Sequence, residues 1–474
     1  MERIILREFV KHIETNMLLS DNQHGFRKGR STISELLSHY QNILNAVTDG
    51  DSYDTIYCDM KKAFDRADWG VAAKALKDCG IFGKLGEWTY SFMSTRTQTV
   101  IANNGISSKV NVQSGIVQGS CLGPLIFLLI VETLSNIEMN ADKGLFADDA
   151  RIGRRISDNI SAQSHQEDIT KLHPWSQEYN FVFNDSKYQS LRVSNNPNKY
   201  DDYNYMTPDY TQPIDEFDTL RDLGVIMSSQ GGFQAHISHL ISKVKQKMGW
   251  IHRTFITNNV EFRRFMWINY IRSNIDYASQ LWCPSDQIQM SSLESLQRMY
   301  TACTNGLQHM DYWTRLRWFR LSSIERRLQR YRIIYVWKIA NDIVINPGIE
   351  FTNNVHSGKL VKIHYKKCHD TWSQKLWDQS LQIHGGKLFN SLPVYLRNCP
   401  GYSDSMDPET TSIDTRINYF KTQLDNFLEG IPDCPLTSEL YPDPINLITG
   451  RNSNCLIDWI RYLKLNTRRP SILI

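Results

Sequence analysis

The sequence has no C-x-x-C pair. Its nine cysteines, at 58, 79, 121, 283, 303, 368, 399, 434 and 455, are scattered and odd in number. That excludes a zinc ribbon or a disulfide framework and fits reduced thiols in an intracellular protein, nuclear or cytoplasmic. Long hydrophobic runs are missing too. The longest, "PLIFLLIV" at 124–131, falls far short of the about 20 residues that span a bilayer. The opening "MERIILREF" carries charges at positions 2, 3, 7 and 8 and has no signal-peptide core, so neither secretion nor a membrane partner is expected. Net charge is small as well: 53 Lys and Arg against 50 Asp and Glu leave +3. No internal repeat is visible.

What is present is a chain of 474 residues, 41% hydrophobic and 22% charged, the composition of a globular protein with two to four domains. Charge is concentrated in one place. "RLRWFRLSSIERRLQRYR", 315–332, holds seven Arg and one Glu, with Trp318, Phe319 and Tyr331 among them. Arginines interleaved with aromatics suit phosphate contacts plus base stacking. A solvated helix face over buried aromatics gives the same pattern.

Periodicity sketches the elements. Ile33, Leu36, Leu37, Tyr40, Leu44 and Val47 predict a helix over 31–47, with Thr32 and Glu35 as its capping box. "DTIYCD", 54–59, predicts a strand. "ADWGVAAKALKDCG" predicts a helix capped by Asp68 and ended by Gly80. Residues 97–113 alternate like a hairpin around "NNG" at 103–105, 122–139 form a buried helix, and "GLFADDARIG" reads strand, turn, strand. After "LGV" (223–225) the character changes. Ile237, Leu240, Ile241, Val244, Met248 and Ile251 mark an amphipathic helix with Lys243 and Lys247 on its polar side. The chain then reads as mostly helical to about 340. "INPGIEFTNN" (345–354) suggests a further boundary, and Pro, Asp and Ser clusters follow.

The chemistry begins at "LFADDARIG", 145–153. Two carboxylates about 4 Å apart repel by roughly 4 kcal/mol at an effective dielectric near 20. An exposed turn relieves that repulsion; a divalent cation relieves it more. "YCDMKKAFD" supplies a third carboxylate, Asp59, at a strand end, where side chains project into a crevice. If the two strands are neighbours, the Asp residues can hold two Mg²⁺ ions that clamp both oxygens of an in-line phosphoryl displacement, with substrate phosphates completing the ligand set. Between these sites, "SGIVQGSCLGPLIF" (114–127) spaces Gly115, Gly119 and Gly123 around Gln118. Glycines admit close backbone approach, and a carboxamide can bond a sugar or a base edge. A Gly-rich turn before a helix is the plainer reading of the same residues.

The order of the pieces says more than any one of them: "GFRKGRST", "DMKKAFD", "GIVQGSCLGPLIF", "FADD", "NDSK" (184–187), "LGV". This series resembles the reverse-transcriptase domain of non-LTR (LINE-type) retrotransposons, over about residues 20–240. A weaker match continues through "LWCP" (281–284), "LESLQRMY" (293–300), the Arg-rich segment, "LFNSLP" (388–393) and "YFKTQLDNFL" (419–428). The resemblance implies an α+β right-hand polymerase with an antiparallel palm sheet, followed by a mainly helical C-terminal region. The divisions would be partial fingers at 1–52, palm with inserted fingers elements at 53–225, thumb and basic helices at 226–345, and a region of unknown role at 346–474. It implies RNA-directed DNA synthesis on an RNA template from a DNA primer and dNTPs, with two Mg²⁺ ions that Mn²⁺ can replace. Asp59 and Asp148 would be the principal metal ligands and Asp149 a supporting one. Phe64 would exclude a 2′-hydroxyl, Gln118 and Gly119 would touch template and nascent pair, and Lys187 would approach the triphosphate and protonate pyrophosphate. Arg27 and Lys28 would meet template or nucleotide. Lys243, Lys247, Arg315, Arg317, Arg320, Arg326 and Arg327 would line the nucleic acid.

There are departures from the pattern. Val117 stands where the family usually has Pro, a change in loop stiffness rather than chemistry. The family's first fingers segment and upstream endonuclease domain are not among these motifs, so the chain reads as the carboxy-terminal part of a longer polyprotein. A truncated, inactive copy that still binds RNA is the alternative. A metal-dependent nuclease shares the two-metal logic but leaves Phe64 and "GIVQGS" unexplained.

Overall fold

The computed structural model describes residues 1–434 and 456–466, apart from 104, 185–186, 196–202, 305, 355–356, 365, 404–405 and 408–409. Two compact units result, Met1–Leu220 and Arg221–Ile474. Among the described residues no helix is long and apolar enough to cross a membrane.

The first unit is mixed α and β. Its central strand, Ser52–Asp59, is the "DTIYCD" strand extended by two residues. The predicted strand-turn-strand forms beside it, as Asp142–Phe146 and Asp149–Ile156. The sheet order runs Asp142–Phe146, Asp149–Ile156, Ser52–Asp59, Gln189–Val193, Asp215–Glu216. Pairing is antiparallel except at the last edge, where Gln189–Val193 and Asp215–Glu216 run parallel, so the sheet is not purely antiparallel.

The two faces of the sheet differ. Ile56, Cys58, Leu145, Ala150 and Ile152 belong to the core that surrounds the helix Gly123–Ser135. That helix is apolar nearly all round because it is buried nearly all round. The other face carries Tyr53, Tyr57, Arg151, Asp149 and Asp59, since residues two apart share a side. The helix Thr32–Thr48 packs against this side of the sheet.

Its start differs from the expected one. Ser31, not Thr32, is the cap, and Ser34 answers it in the capping box. Glu35 instead turns inward. Its carboxylate accepts from Arg151 Nη2 at 2.6 Å and pairs with His24 Nε2 at 2.9 Å, all three side chains being buried. The Asp68 cap forms as expected, accepting from the Val71 amide at 3.0 Å. The 97–113 hairpin forms too, with Ile101 opposite Ile106; residue 104 of its turn lies outside the described residues.

The boundary between units falls inside a second hairpin, Thr219–Asp222 with Val225–Ser228. Leu223 and Gly224 both take positive φ, 43° and 88°, which suits a two-residue turn between twisted strands. The second unit is mostly helical and opens on Gln234–Thr254, which buries Ile237, Leu240, Val244, Met248 and Ile251. It continues through 345–354, where the chain forms a turn around Asn346 and then a short hairpin, Phe351–Asn354 with Gly358–Val361.

Candidate active site

Register brings the carboxylates together. Asp59, the last residue of the central strand, lies directly opposite Asp149, the first residue of its neighbour. Asp148 occupies the two-residue turn just before it, after Ala147 at φ +57°. Opposed residues in a sheet point the same way, and like charges so placed repel. A cation answers them here: Lys187 Nζ lies 2.6 Å from Asp59 Oδ2. That hydrogen bond and then the charge of Asp59 raise the lysine above its ordinary range; burial opposes them, and the charge of Asp149 adds a lesser lift.

Lys187 reaches this position because its segment returns antiparallel to the end of the central strand. The Lys61 amide donates to Val182 O at 2.8 Å and the Asn184 amide to Asp59 O at 2.9 Å. The Lys187 amide then closes a turn on Asn184 O. Residues 185 and 186 of "NDSK" lie outside the described residues.

The glycine-rich loop docks on the same stretch of chain. The Ile116 amide donates to Phe64 O at 2.8 Å, and Gln118 Nε2 donates to Asp65 Oδ1 at 2.7 Å. Gly115 takes φ +90°, and a Cβ there would stand 2.7 Å from Asp65 O, so only glycine fits. Arg96 clamps the loop from outside, bonding Gly115 O and lying over the Trp69 ring. Gly119 has φ +83° and open space around it. Phe64 stacks on Phe127 with ring centroids 4.1 Å apart. Its ring is half-buried and rests against the core.

The remaining candidates divide. Arg27 is half-buried and spends Nη1 on the main-chain oxygens of Ser20 and Gln23, while Lys28 is exposed. In the second unit Lys243 is exposed, but Lys247 donates to Asn274 Oδ1 at 3.0 Å. The Arg-rich stretch is two helices, Tyr312–Phe319 and Ile324–Ala340, broken at Arg320 with φ +49°.

Three of its arginines, expected to line nucleic acid, bond to other parts of the second unit. Arg315 is buried and bonds Met310 O, Thr301 Oγ1 and Arg298 O. Arg326 is buried and bonds Pro432 O at 2.8 Å. Arg327 makes a two-pronged bond to Asp276, each contact 2.9 Å. Arg317 and Arg320 remain exposed beside Trp318.

Asp59 and Asp149 offer hard oxygen donors, the set that Mg²⁺ and Mn²⁺ take. Among the described residues no three His, Cys, Asp or Glu side chains form a ready cage. Mg²⁺ does not need one, since one or two carboxylates plus water and phosphate suffice. The residues therefore fit a divalent ion.

Residues 1–225 match the family described as reverse transcriptase (RNA-dependent DNA polymerase). Similar curated proteins are the probable RNA-directed DNA polymerases from transposons X-element and BS of Drosophila melanogaster. The first is 23% identical over 320 residues, 64% of this chain and 34% of the relative. The second is 25% identical over 357 residues, 70% of this chain and 38% of the relative.

Residues 1–225 are a reverse-transcriptase domain of the non-LTR retrotransposon type.

The chain that carries this domain spans about a third of the length of those relatives. Among solved structures, telomerase from Candida tropicalis with a TWJ fragment of telomeric RNA is 12% identical, covering 70% of this chain and 54% of that one at a TM-score of 0.39. A likeness that slight assigns nothing to this chain. Sequence reasoning missed the inward ties of the reverse-transcriptase domain, namely Glu35 with Arg151 and His24, Arg96 on the glycine loop, and Gln23 beside the aspartate turn. The only signal in the sequence was Gly25 within "QHGF", a glycine outside any strand or helix pattern.

Proposed function

We propose that the chain is an RNA-directed DNA polymerase of a non-LTR retrotransposon, with the five-stranded sheet as its palm. Asp59 opposite Asp149, with Asp148 in the adjoining turn of a reverse-transcriptase domain, is the observation that carries this reading. The division into partial fingers (1–52), palm (53–225), thumb and basic helices (226–345) and a C-terminal region (346–474) goes with it.

In this reading Asp59, Asp148 and Asp149 hold divalent ions, two Mg²⁺ or Mn²⁺ in their place. When bound, these supply Lewis acidity to the reacting phosphate and its leaving group. The chain's own groups position the rest. Phe64 supports the incoming sugar and excludes ribonucleotides, held by its stack on Phe127. Gln118 and Gly119 sit on the loop anchored to Phe64 and Asp65, at the nascent pair. Lys187, already drawn to this pair of carboxylates, moves to the triphosphate and gives a proton to the departing pyrophosphate. Among the candidate cations, Lys28, Lys243, Arg317 and Arg320 are exposed and meet RNA template and DNA primer.

Primer extension on an RNA template with Mg²⁺ tests the reading. Incorporation that Asp148→Ala abolishes is expected. No incorporation by the unaltered chain, or none lost in Asp148→Ala, refutes it.

A further inference from the structure

The aspartate turn leans on a segment far from it in sequence. Residues 22–25 run alongside the strand that leads into the turn: the Leu145 amide donates to Asn22 O at 3.0 Å, the His24 amide to Leu145 O at 2.9 Å, and Gln23 bridges Leu145 in parallel. From there the Gln23 carboxamide, wholly buried, reaches into the turn. Its Oε1 accepts the Ala147 amide at 3.2 Å and the Gly25 amide at 2.8 Å. Ala147 is a non-glycine residue at φ +57°, a conformation that persists only where neighbours hold it. Space is tight on the other side as well, because a Cβ at Gly25 would stand 2.6 Å from Ala147 N.

We propose that Gln23 is a positioning residue for Asp148 and Asp149: its buried carboxamide oxygen ties the Ala147 amide to the 22–25 segment and so aims the two carboxylates that follow. This rests on the reading of those carboxylates as metal ligands. Groups that orient metal ligands typically govern affinity or activity by about 10- to 100-fold. The other hydrogen-bonding end of Gln23, Nε2, has no partner among the described residues, so the acceptor oxygen is the feature that matters. Gly25 acts with it by letting the segment approach the turn.

The test compares Gln23→Met, which keeps length and removes the acceptor, with Gly25→Ala, which keeps the carboxamide and pushes on the turn. Mn²⁺ binding to the resting protein is followed by electron paramagnetic resonance, with Asp148→Asn marking the site. Primer extension gives kcat and the KM for template–primer. Both variants are expected to weaken Asp148-dependent Mn²⁺ binding and lower kcat by about 10-fold or more, with template–primer KM changed less than about threefold. A purely structural role would not split the constants in this way. Wild-type Mn²⁺ affinity and kcat in a folded Gln23→Met overturn the proposal, as does a fall in kcat matched by an equal rise in KM. If Gln23→Met does not fold, Gly25→Ala carries the same outcomes. A wild type that binds Mn²⁺ through Asp148 yet extends no primer refutes the polymerase reading and leaves the role of Gln23 testable by binding alone. A wild type with no Asp148-dependent Mn²⁺ site overturns both.

Discussion

Asp149→Asn should make the metal-free protein more stable. Asp59 and Asp149 face one another across an antiparallel pair, where Cα atoms stand about 4.5–5.5 Å apart. Two carboxylates about 5 Å apart repel by about 0.8–3 kcal/mol as the effective dielectric runs from 80 to 20. Asp59 is one-third exposed and already holds Lys187, and the charge of Asp149 also attracts that lysine, so the net gain lies at the lower end, at most about 1 kcal/mol. The asparagine keeps an acceptor oxygen and loses only the charge. Because the chain has two units, a single unfolding curve does not isolate the effect. Amide exchange along Ser52–Asp59 in denaturant, with EDTA present, does. Magnesium should reverse the comparison. At ten times its Kd it stabilises the binding form by about 1.4 kcal/mol, and the variant, lacking a ligand charge, gains less. A variant no more stable than wild type in EDTA, or equal stabilisation of both by Mg²⁺, would refute the placement of a cation site between these strands.

Four further outcomes follow from the same structure. Phe64→Val should raise ribonucleotide incorporation relative to deoxyribonucleotide in a misincorporation assay; unchanged sugar discrimination removes Phe64 from that role. Arg320→Ala should lower the salt slope of RNA binding by about one unit without unfolding the chain. Arg326→Ala should instead weaken amide-exchange protection along Ile324–Ala340, because its donor is spent on Pro432 O. Burial lifts the Glu132 carboxyl to about 7 although it accepts the Ser20 amide. Its folded pKa lies above the ordinary 4.5, so the stability it contributes is full below about pH 4.5 and is lost as pH rises through about 7. Glu132→Gln should remove up to about 3 kcal/mol of that pH dependence, which amide exchange along Gly123–Ser135 in denaturant at about pH 5 and pH 8 would read.

Local elements were legible where one residue type decides them. The Asp68 cap, the strand ending at Asp59, the buried 123–135 helix and the Asp148 turn follow from capping, β-branching and periodicity, which act within a few residues. The capping box at Thr32 and Glu35 was misplaced by one residue because Glu35 is committed to Arg151, 116 residues away. No periodicity reports such a pair. Nor does any local signal show that Asp59 faces Asp149 and not a residue one place along; register follows from the whole sheet. Gln23 was illegible for a related reason. Its partner is a main-chain amide, and an amide has no identity in a sequence.

The arginines show the same limit from the other side. Seven in eighteen residues, interleaved with aromatics, describe a phosphate-binding face as well as they describe an interior, because guanidinium donors are satisfied equally by phosphate oxygens and by carbonyls or carboxylates. The break at Arg320 decides between them. It turns the stretch into two helices that cannot share one exposed face. The longer helix then has Arg326, Arg327, Arg330 and Arg332 pointing to Pro432, Asp276, Asp425 and Gln379. Each is a bond between distant parts of the second unit. A basic run therefore says little about partners until the helix carrying it has been shown to have a free side. Here the free side is short, with Arg317, Trp318 and Arg320 at the end of the first helix, and any stacking or phosphate contact from this region must be made there.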